Sequence, residues 1–294
     1  MTLCLAWKQG ENIYFASDSR LMSSEETILT DYASKIFKVG VEIYKDLPEL
    51  FSGLPKKPIH QTTYGLCFSG SYLNGSILAN TIDSFLSNIL VVPYSDISID
   101  NLSNIAFTIY KQVSQQLMQT SNENGLSQVL FGGYCLQTND FKLYKFFPKD
   151  IEYGQVLEFG KEEINLNSQT ILLGDAPAKL KAEELLEKVD AEYTHYHLLR
   201  EIIQDTTFKT VGGNIQVGCF QPSKFRTHGF TEPSSYRDND GYLQIEETYI
   251  LSGLKLDFKD INNELFSGKI YPNELFFSPF QKEKMELIQQ QGQK

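Results

Sequence analysis

Residues 2–20 read TLCLAWKQGENIYFASDSR, and this stretch decides the fold. Two apolar runs, 3–7 (LCLAW) and 13–17 (IYFAS), flank Lys8-Gln9-Gly10-Glu11-Asn12. A glycine among polar neighbours between two such runs is a hairpin signal. Paired as a hairpin, the runs bring Thr2 and Asp18 to the same end of one ladder.

Outward from the hairpin, Ile36-Phe37-Lys38-Val39 reads as a short strand, and residues 64–69 resume one. Between them, residues 41–63 hold Pro48, Pro55 and Pro58 without a clear period and read as an inserted loop. In residues 73–90, Leu73, Ile77, Leu78, Ile82, Phe85 and Ile89 recur at spacings of three and four, one face of a helix. Residues 101–118 repeat that pattern. Strands follow over 128–135, 141–146 and 151–159, the first two joined by a tight turn at Thr138-Asn139-Asp140. A short strand at 170–173, helices at 178–189 and 196–203, and a strand at 215–220 complete the series.

Helices thus come in consecutive pairs and do not alternate with single strands. That disfavours a doubly wound parallel sheet and predicts an α+β class, antiparallel sheets between helix layers. The expected division is a domain over 1–220 and a turn-rich, aromatic extension over 221–294, packed on that domain or on a neighbouring subunit.

The bulk properties set limits on function. A length of 294 residues, 41% hydrophobic and 21% charged, describes a soluble globular protein with a sizeable core. The net charge of −11, without a basic run, argues against nucleic acid or an anionic membrane as partner. Cys4, Cys67, Cys135 and Cys219 sit in apolar runs without a CxxC pair, so free buried thiols are expected. No signal peptide and no membrane-length apolar run is evident, and a cytoplasmic location is expected. His195-Tyr196-His197 places its two rings on different helix faces, which disfavours a metal pair. P-loop, GxGxxG, HExxH and GxSxG motifs are absent from the sequence, so no cofactor or metal is expected.

The residue types at the hairpin end carry a chemistry. Removal of Met1 would leave Thr2 with a free α-amine, whose ordinary pKa is about 7.7–8.0. Such an amine can serve as general base for the hydroxyl of the same residue. A lysine brought close, such as Lys35, would lower the pKa of that hydroxyl, and Asp18 would hold the lysine charged and oriented.

The pieces Thr2-Leu3, Phe15-Ala16-Ser17-Asp18-Ser19-Arg20, Ser34-Lys35-Ile36-Phe37-Lys38-Val39 and Phe68-Ser69-Gly70-Ser71 resemble the proteasome β-subunit and HslV family of N-terminal nucleophile hydrolases. The order of strands and helix pairs matches that family's four-layer αββα sandwich of two antiparallel sheets between helix pairs. The resemblance implies Thr2 as nucleophile and base, Asp18 and Lys35 as the charge pair that tunes it, and Arg20 as structural support. It implies the Gly70 amide as oxyanion donor, a contribution of about 2.7–4 kcal/mol to the transition state. The family's Gly-Ser-Gly before a helix corresponds here to Gly174-Asp175-Ala176, so Asp175 stands where the serine would, or serves simply as an N-cap. In this departure the chain resembles the Anbu branch of bacterial proteasome-like proteins. Asp205 and Thr207, ahead of Gly212-Gly213, are candidates for the family's last motif.

By the same resemblance, residues near Ala33, Phe68 and Tyr72 line a pocket for an apolar substrate side chain. The implied activity is a threonine-type endopeptidase acting on peptides or unfolded proteins, in a homo-oligomeric ring or helical assembly whose unfoldase partner the sequence does not name. Two further readings stay open: a non-catalytic ring or scaffold subunit, and an amidase acting on small amides.

Overall fold

The computed structural model describes residues 2–23, 27–45, 57–91, 95–135, 137–152, 155–166, 169–190, 193–221, 224–237, 243–256 and 276–292. Met1, Pro48, Pro55 and Leu275 lie outside them. The chain forms two compact units, the first from residues 1–17, 35–175 and 218–226, the second from 18–34, 176–217 and 227–294.

In the first unit, β1 (Leu3–Gln9) and β2 (Asn12–Ser17) form the expected hairpin, with Cys4 opposite Ser17 and Gln9 opposite Asn12. Gly10, at φ +61°, makes the tight turn. β5 (Ile36–Lys45) and β6 (His60–Gly70) pair antiparallel from Ile36↔Cys67 to Ile43↔His60. Residues 41–45 and 60–63, expected in a loop, therefore extend these two strands. Val39, Val41 and Ile43 of β5 are buried and alternate with less buried neighbours, the period of a strand, which the nearby prolines obscure in the sequence.

Two helices follow, α1 (Tyr72–Leu86) and α2 (Ile99–Ser121). The apolar period continuing to Ile89 belongs partly to a strand: α1 stops at the Ser87 C-cap, and β7 (Ile89–Val91) pairs with β5. The antiparallel run β8 (Ser127–Cys135), β9 (Asp140–Glu152) and β10 (Gln155–Ile164) comes next, then β11 (Ile171–Gly174), which pairs with β1. β12 (Gln216–Gln221) and the first residues of β13 (Lys224–Arg237) complete the strand order β10-β9-β8-β6-β13-β12-β2-β1-β11. A single residue pair, Thr63↔Lys224, connects β6 to β13.

Period-two alternation distributes the core of this unit. Leu66 and Phe68 of β6, Val129 and Phe131 of β8, and Tyr144 and Phe146 of β9 pack with Leu78, Ile82, Ala106 and Tyr110 of the helices. Cys67, Leu130 and Leu143, one residue out of phase, pack with Cys4, Ala6, Phe15, Leu173 and Phe220.

The second unit holds the small ladder β3 (Leu21–Met22) with β4 (Ile28–Thr30), and helices α3 (Ala176–Leu186) and α4 (His195–Gln204). The extension over 221–294, expected to be turn-rich, contains regular elements among its described residues. The latter part of β13 pairs with β14 (Leu243–Leu251) and β16 (Phe276–Phe277), β14 pairs with β15 (Leu254–Leu256), and α5 spans Gln281–Gly292. Phe280 is buried against His197 and Phe230, with the Arg200 guanidinium 4.0 Å over its ring. Arg200 also grips Glu283 through both guanidinium nitrogens, fastening α5 to α4.

Candidate active site

Thr2 leads directly into β1, and β11 holds it. Leu3 lies opposite Gly174, and the amide of Asp175 donates to the Thr2 carbonyl at 3.0 Å. Gly174 has φ +128°, and a Cβ there would lie 1.6 Å from the Thr2 oxygen. Only glycine permits this approach.

The backbone of Phe68 joins the neighbouring strand ends. Its amide donates to the Lys35 carbonyl at 3.2 Å, and its carbonyl accepts from the Cys4 thiol at 2.9 Å. Cys4 Sγ also lies 3.2 Å from Ser17 Oγ. Cys4 is two residues from Thr2 and Phe68 is two from Gly70, so the origins of β1 and β5 meet the end of β6. Gly70 turns the corner into α1 at φ +104°, where a Cβ would come within 2.6 Å of the Leu126 carbonyl. Ser71 follows, its amide on that same carbonyl at 2.8 Å and its hydroxyl capping α1 at Asn74.

The candidate side chains here are withdrawn from water. Thr2 is 3% exposed, Lys35 1% and Asp175 6%. Lysine is almost never fully buried unless compensated, because a desolvated ammonium is costly. At 1% exposure Lys35 is not a solvated side chain at a strand start. A buried ammonium favours nearby anionic states, the property that activation of a hydroxyl requires. Phe68, expected to line a substrate pocket, turns its ring into the core beneath α1. It sits 6.0 Å from Phe37 and 6.1 Å from Tyr72, with a face against Gly75. Tyr72 is half-buried beside it.

In the second unit, residues 18–20 are clamped by the loop before β12. Asp18 is fully buried, and its Oδ2 accepts from the amides of Arg20 and Gly212, each at 3.1 Å. The Ser19 amide donates to the Gly212 carbonyl at 3.1 Å, and its hydroxyl accepts from the Asn214 amide at 2.8 Å. Arg20 forks onto Asp31 at 2.8 and 3.2 Å and reaches the Lys209 carbonyl at 3.3 Å. The Asp31 hydrogen bonds raise the pKa of its guanidinium further, which suits a permanent strut. Ala33 is buried with its carbonyl held by the Gln216 side-chain amide at 2.5 Å, and that amide also reaches the Asp18 carbonyl at 3.4 Å.

Asp205 caps the C-terminus of α4. Its Oδ1 accepts from the Thr207 amide at 2.9 Å and hydroxyl at 2.7 Å, a local turn at an exposed position. His197 closes a capping box with Thr194 and lies 3.3 Å from Glu283. Among the described residues there is no group of three or more acidic, histidine or cysteine side chains suited to a metal, and no helix long and apolar enough to cross a membrane.

Sequence reasoning gave no site role to Cys4 or Gln216. The contacts of Cys4 and Gln216 span 64 and 183 residues and left no local mark.

No family model and no curated protein matches the chain. Solved structures do. The helical assembly of the Anbu complex from Pseudomonas aeruginosa is 14% identical, with 77% of this chain and 86% of that chain covered and a TM-score of 0.51. Anbu, the ancestral beta-subunit, from Yersinia bercovieri is 13% identical over 77% and 86% of the two chains, also at 0.51. An Anbu (Gly-1) mutant from Hyphomicrobium sp. strain MC1 is 12% identical over 92% and 99%, at 0.48. At such identities the likeness is one of fold: this chain is folded like the Anbu proteins, in a proteasome-like manner.

Proposed function

We propose that the chain is a threonine-type amide hydrolase of the N-terminal nucleophile kind, with Thr2 as nucleophile after loss of Met1. The observation that carries this reading is the burial of Lys35, at 1% exposure, at the strand junction organised by the Phe68 backbone. No packing argument calls for an ammonium there, and activation of a hydroxyl does. In the proposed cycle the Thr2 amine accepts the hydroxyl proton, and Oγ attacks an amide carbonyl to give a tetrahedral oxyanion. The Gly70 amide stabilises that oxyanion. Collapse expels the amine, which takes the proton from the Thr2 ammonium, and leaves an ester on Thr2; water then hydrolyses the ester. Arg20 braces the Asp18 segment through its fork onto Asp31. The proposal includes a four-layer αββα architecture, peptide substrates and self-assembly. Self-assembly draws on the helical arrangement named for the Pseudomonas aeruginosa protein.

One observation favours a scaffold subunit instead. Asp175 is buried with its amide on Thr2, and a carboxylate there would hold the Thr2 amine protonated and idle as a base. The deciding experiment is intact mass before and after a β-lactone or epoxyketone. Loss of Met1 and a single adduct, absent in Thr2→Ala, support the hydrolase. A retained Met1, or a processed Thr2 that stays unmodified, moves the assignment to the scaffold.

A further inference from the structure

The outward surface of the α1–α2 layer is almost uncharged, in a chain that is 21% charged and carries −11. Across the 15 residues of α1 the only ionisable carboxylate is Asp83, and it is turned inward onto the Gly40 amide at 2.6 Å. Across the 23 residues of α2 the only charges are Asp100, paired with Lys142 at 2.7 Å, and Lys111, over the Phe107 ring at 5.2 Å. What faces water is apolar, amide or hydroxyl. Leu73, Ile77 and Phe85 of α1 are 54%, 38% and 52% exposed, and Gln112, Gln115 and Gln119 of α2 are exposed, with Thr81, Ser84, Thr108 and Thr120 the exposed hydroxyls of the two helices.

We infer that this face is where a second copy of the chain binds, the two copies related by a two-fold axis. The inference rests on the self-assembly proposed above and names the surface. Two copies each carrying −11 repel, and they approach at least cost through a face with almost no charge. A two-fold interface must also be complementary to itself. The side-chain amide meets that condition: it is neutral and both donates and accepts, so a glutamine row pairs with its own copy. A partner recognised through charge would find nothing here to read.

The size fits. At about 1.5 Å per residue, α1 and α2 run roughly 22 and 34 Å, and two helices about 8–10 Å apart present on the order of 600 Å². A stable dimer interface uses about 800 Å² per partner, so the layer supplies most of one.

The test uses sedimentation velocity on the full chain over a concentration series, with thermal melts as fold control. The acidic variant carries Ile77→Glu and Gln112→Glu; the basic variant carries Ile77→Lys and Gln112→Lys. Both positions substituted are exposed, so melting should hold. Each variant alone should lose an association step, its dissociation constant roughly a hundredfold weaker, with the acidic variant worse because it adds to the net charge. An equimolar mixture should regain the step. Wild-type protein that stays monomeric overturns this inference and the proposed self-assembly together. Assembly that both variants leave unchanged overturns this face alone. Loss in both variants without recovery on mixing means that something other than a second copy covers the layer, and also overturns it.

Discussion

The amide of Asp175 donates to the carbonyl of Thr2, and Gly174, the last residue of β11, leaves no room for any side chain beside that carbonyl. The end of β11 is therefore a mould for the start of β1. Gly174→Ala should lower stability by at least about 3 kcal/mol, from a Cβ placed 1.6 Å from Thr2 O and from the strain of φ +128°. Urea midpoints measure the loss. A loss under about 1 kcal/mol would mean that the Thr2 carbonyl is not held in this way.

Lys35 separates chemistry from packing. Lys35→Met keeps most of the side-chain volume but takes one partner out of a buried polar interaction, which typically destabilises by about 3–5 kcal/mol. Melting temperature should fall, and at a temperature where the variant is still folded the rate of β-lactone adduct formation at Thr2 should be lower by at least about tenfold. An undiminished adduct rate would remove Lys35 from the proposed machinery and leave it a structural residue.

Asp18 has a structural share that is separable from any catalytic one. Its Oδ2 accepts two backbone amides, from Arg20 and Gly212. Asp18→Ala leaves both donors buried without an acceptor, at about 1–3 kcal/mol each. Asp18→Asn keeps an acceptor oxygen and should cost clearly less. Equal losses in the two variants would mean that the charge, not the hydrogen bonding, is what the segment requires.

These residues also show what was legible in the sequence. The β1–β2 hairpin was readable because its apolar runs and its Gly10 turn are local. The helices α1 and α2 were readable because apolar residues recur at three and four, although Leu73, Ile77 and Phe85 of the α1 series lie exposed and only Leu78 and Ile82 of it are buried within the helix. The extension of β5 and β6 through 41–45 and 60–63 was not, since strand pairing between Ile43 and His60 is decided by a partner seventeen residues away and the prolines dominate the local reading. Phe68 marks the same limit within the site. Its identity suggested a pocket wall, whereas strand phase turns its ring toward α1 and leaves only its backbone at the junction. The order of Thr2, Asp18, Lys35 and Gly70 was visible in the sequence; the burial that gives Lys35 its significance depends on four strand ends and was not.

Acid should destabilise the protein in two stages. Burial pushes His195 from its ordinary 6.5 to about 4, so the folded chain stays neutral there at a pH where the unfolded chain has already taken up a proton. The unfolded state then binds more protons, and stability falls as pH falls. The loss begins near pH 6.5 and is complete near pH 4, amounting to roughly 3 kcal/mol at most. His197, also lowered by burial, adds to the same stage. The second stage belongs to Glu283, whose carboxyl the Arg200 hydrogen bonds hold below its ordinary 4.5. Its contribution is fully present above that value and is lost as pH falls through the lower folded one. Urea midpoints between about pH 7.5 and about pH 4.5 should therefore decline in the wild type, and His195→Gln should flatten that decline. Glu283→Gln should lower stability throughout, because the Arg200 anchor of α5 is weakened at every pH, and should steepen the decline above about pH 5, because Glu283 is what holds His197 up against its burial. A wild-type midpoint that stays level from about pH 7 to about pH 5 would mean that His195 takes up its proton without resistance, and that α4 is open enough at its first turn to hydrate an imidazolium.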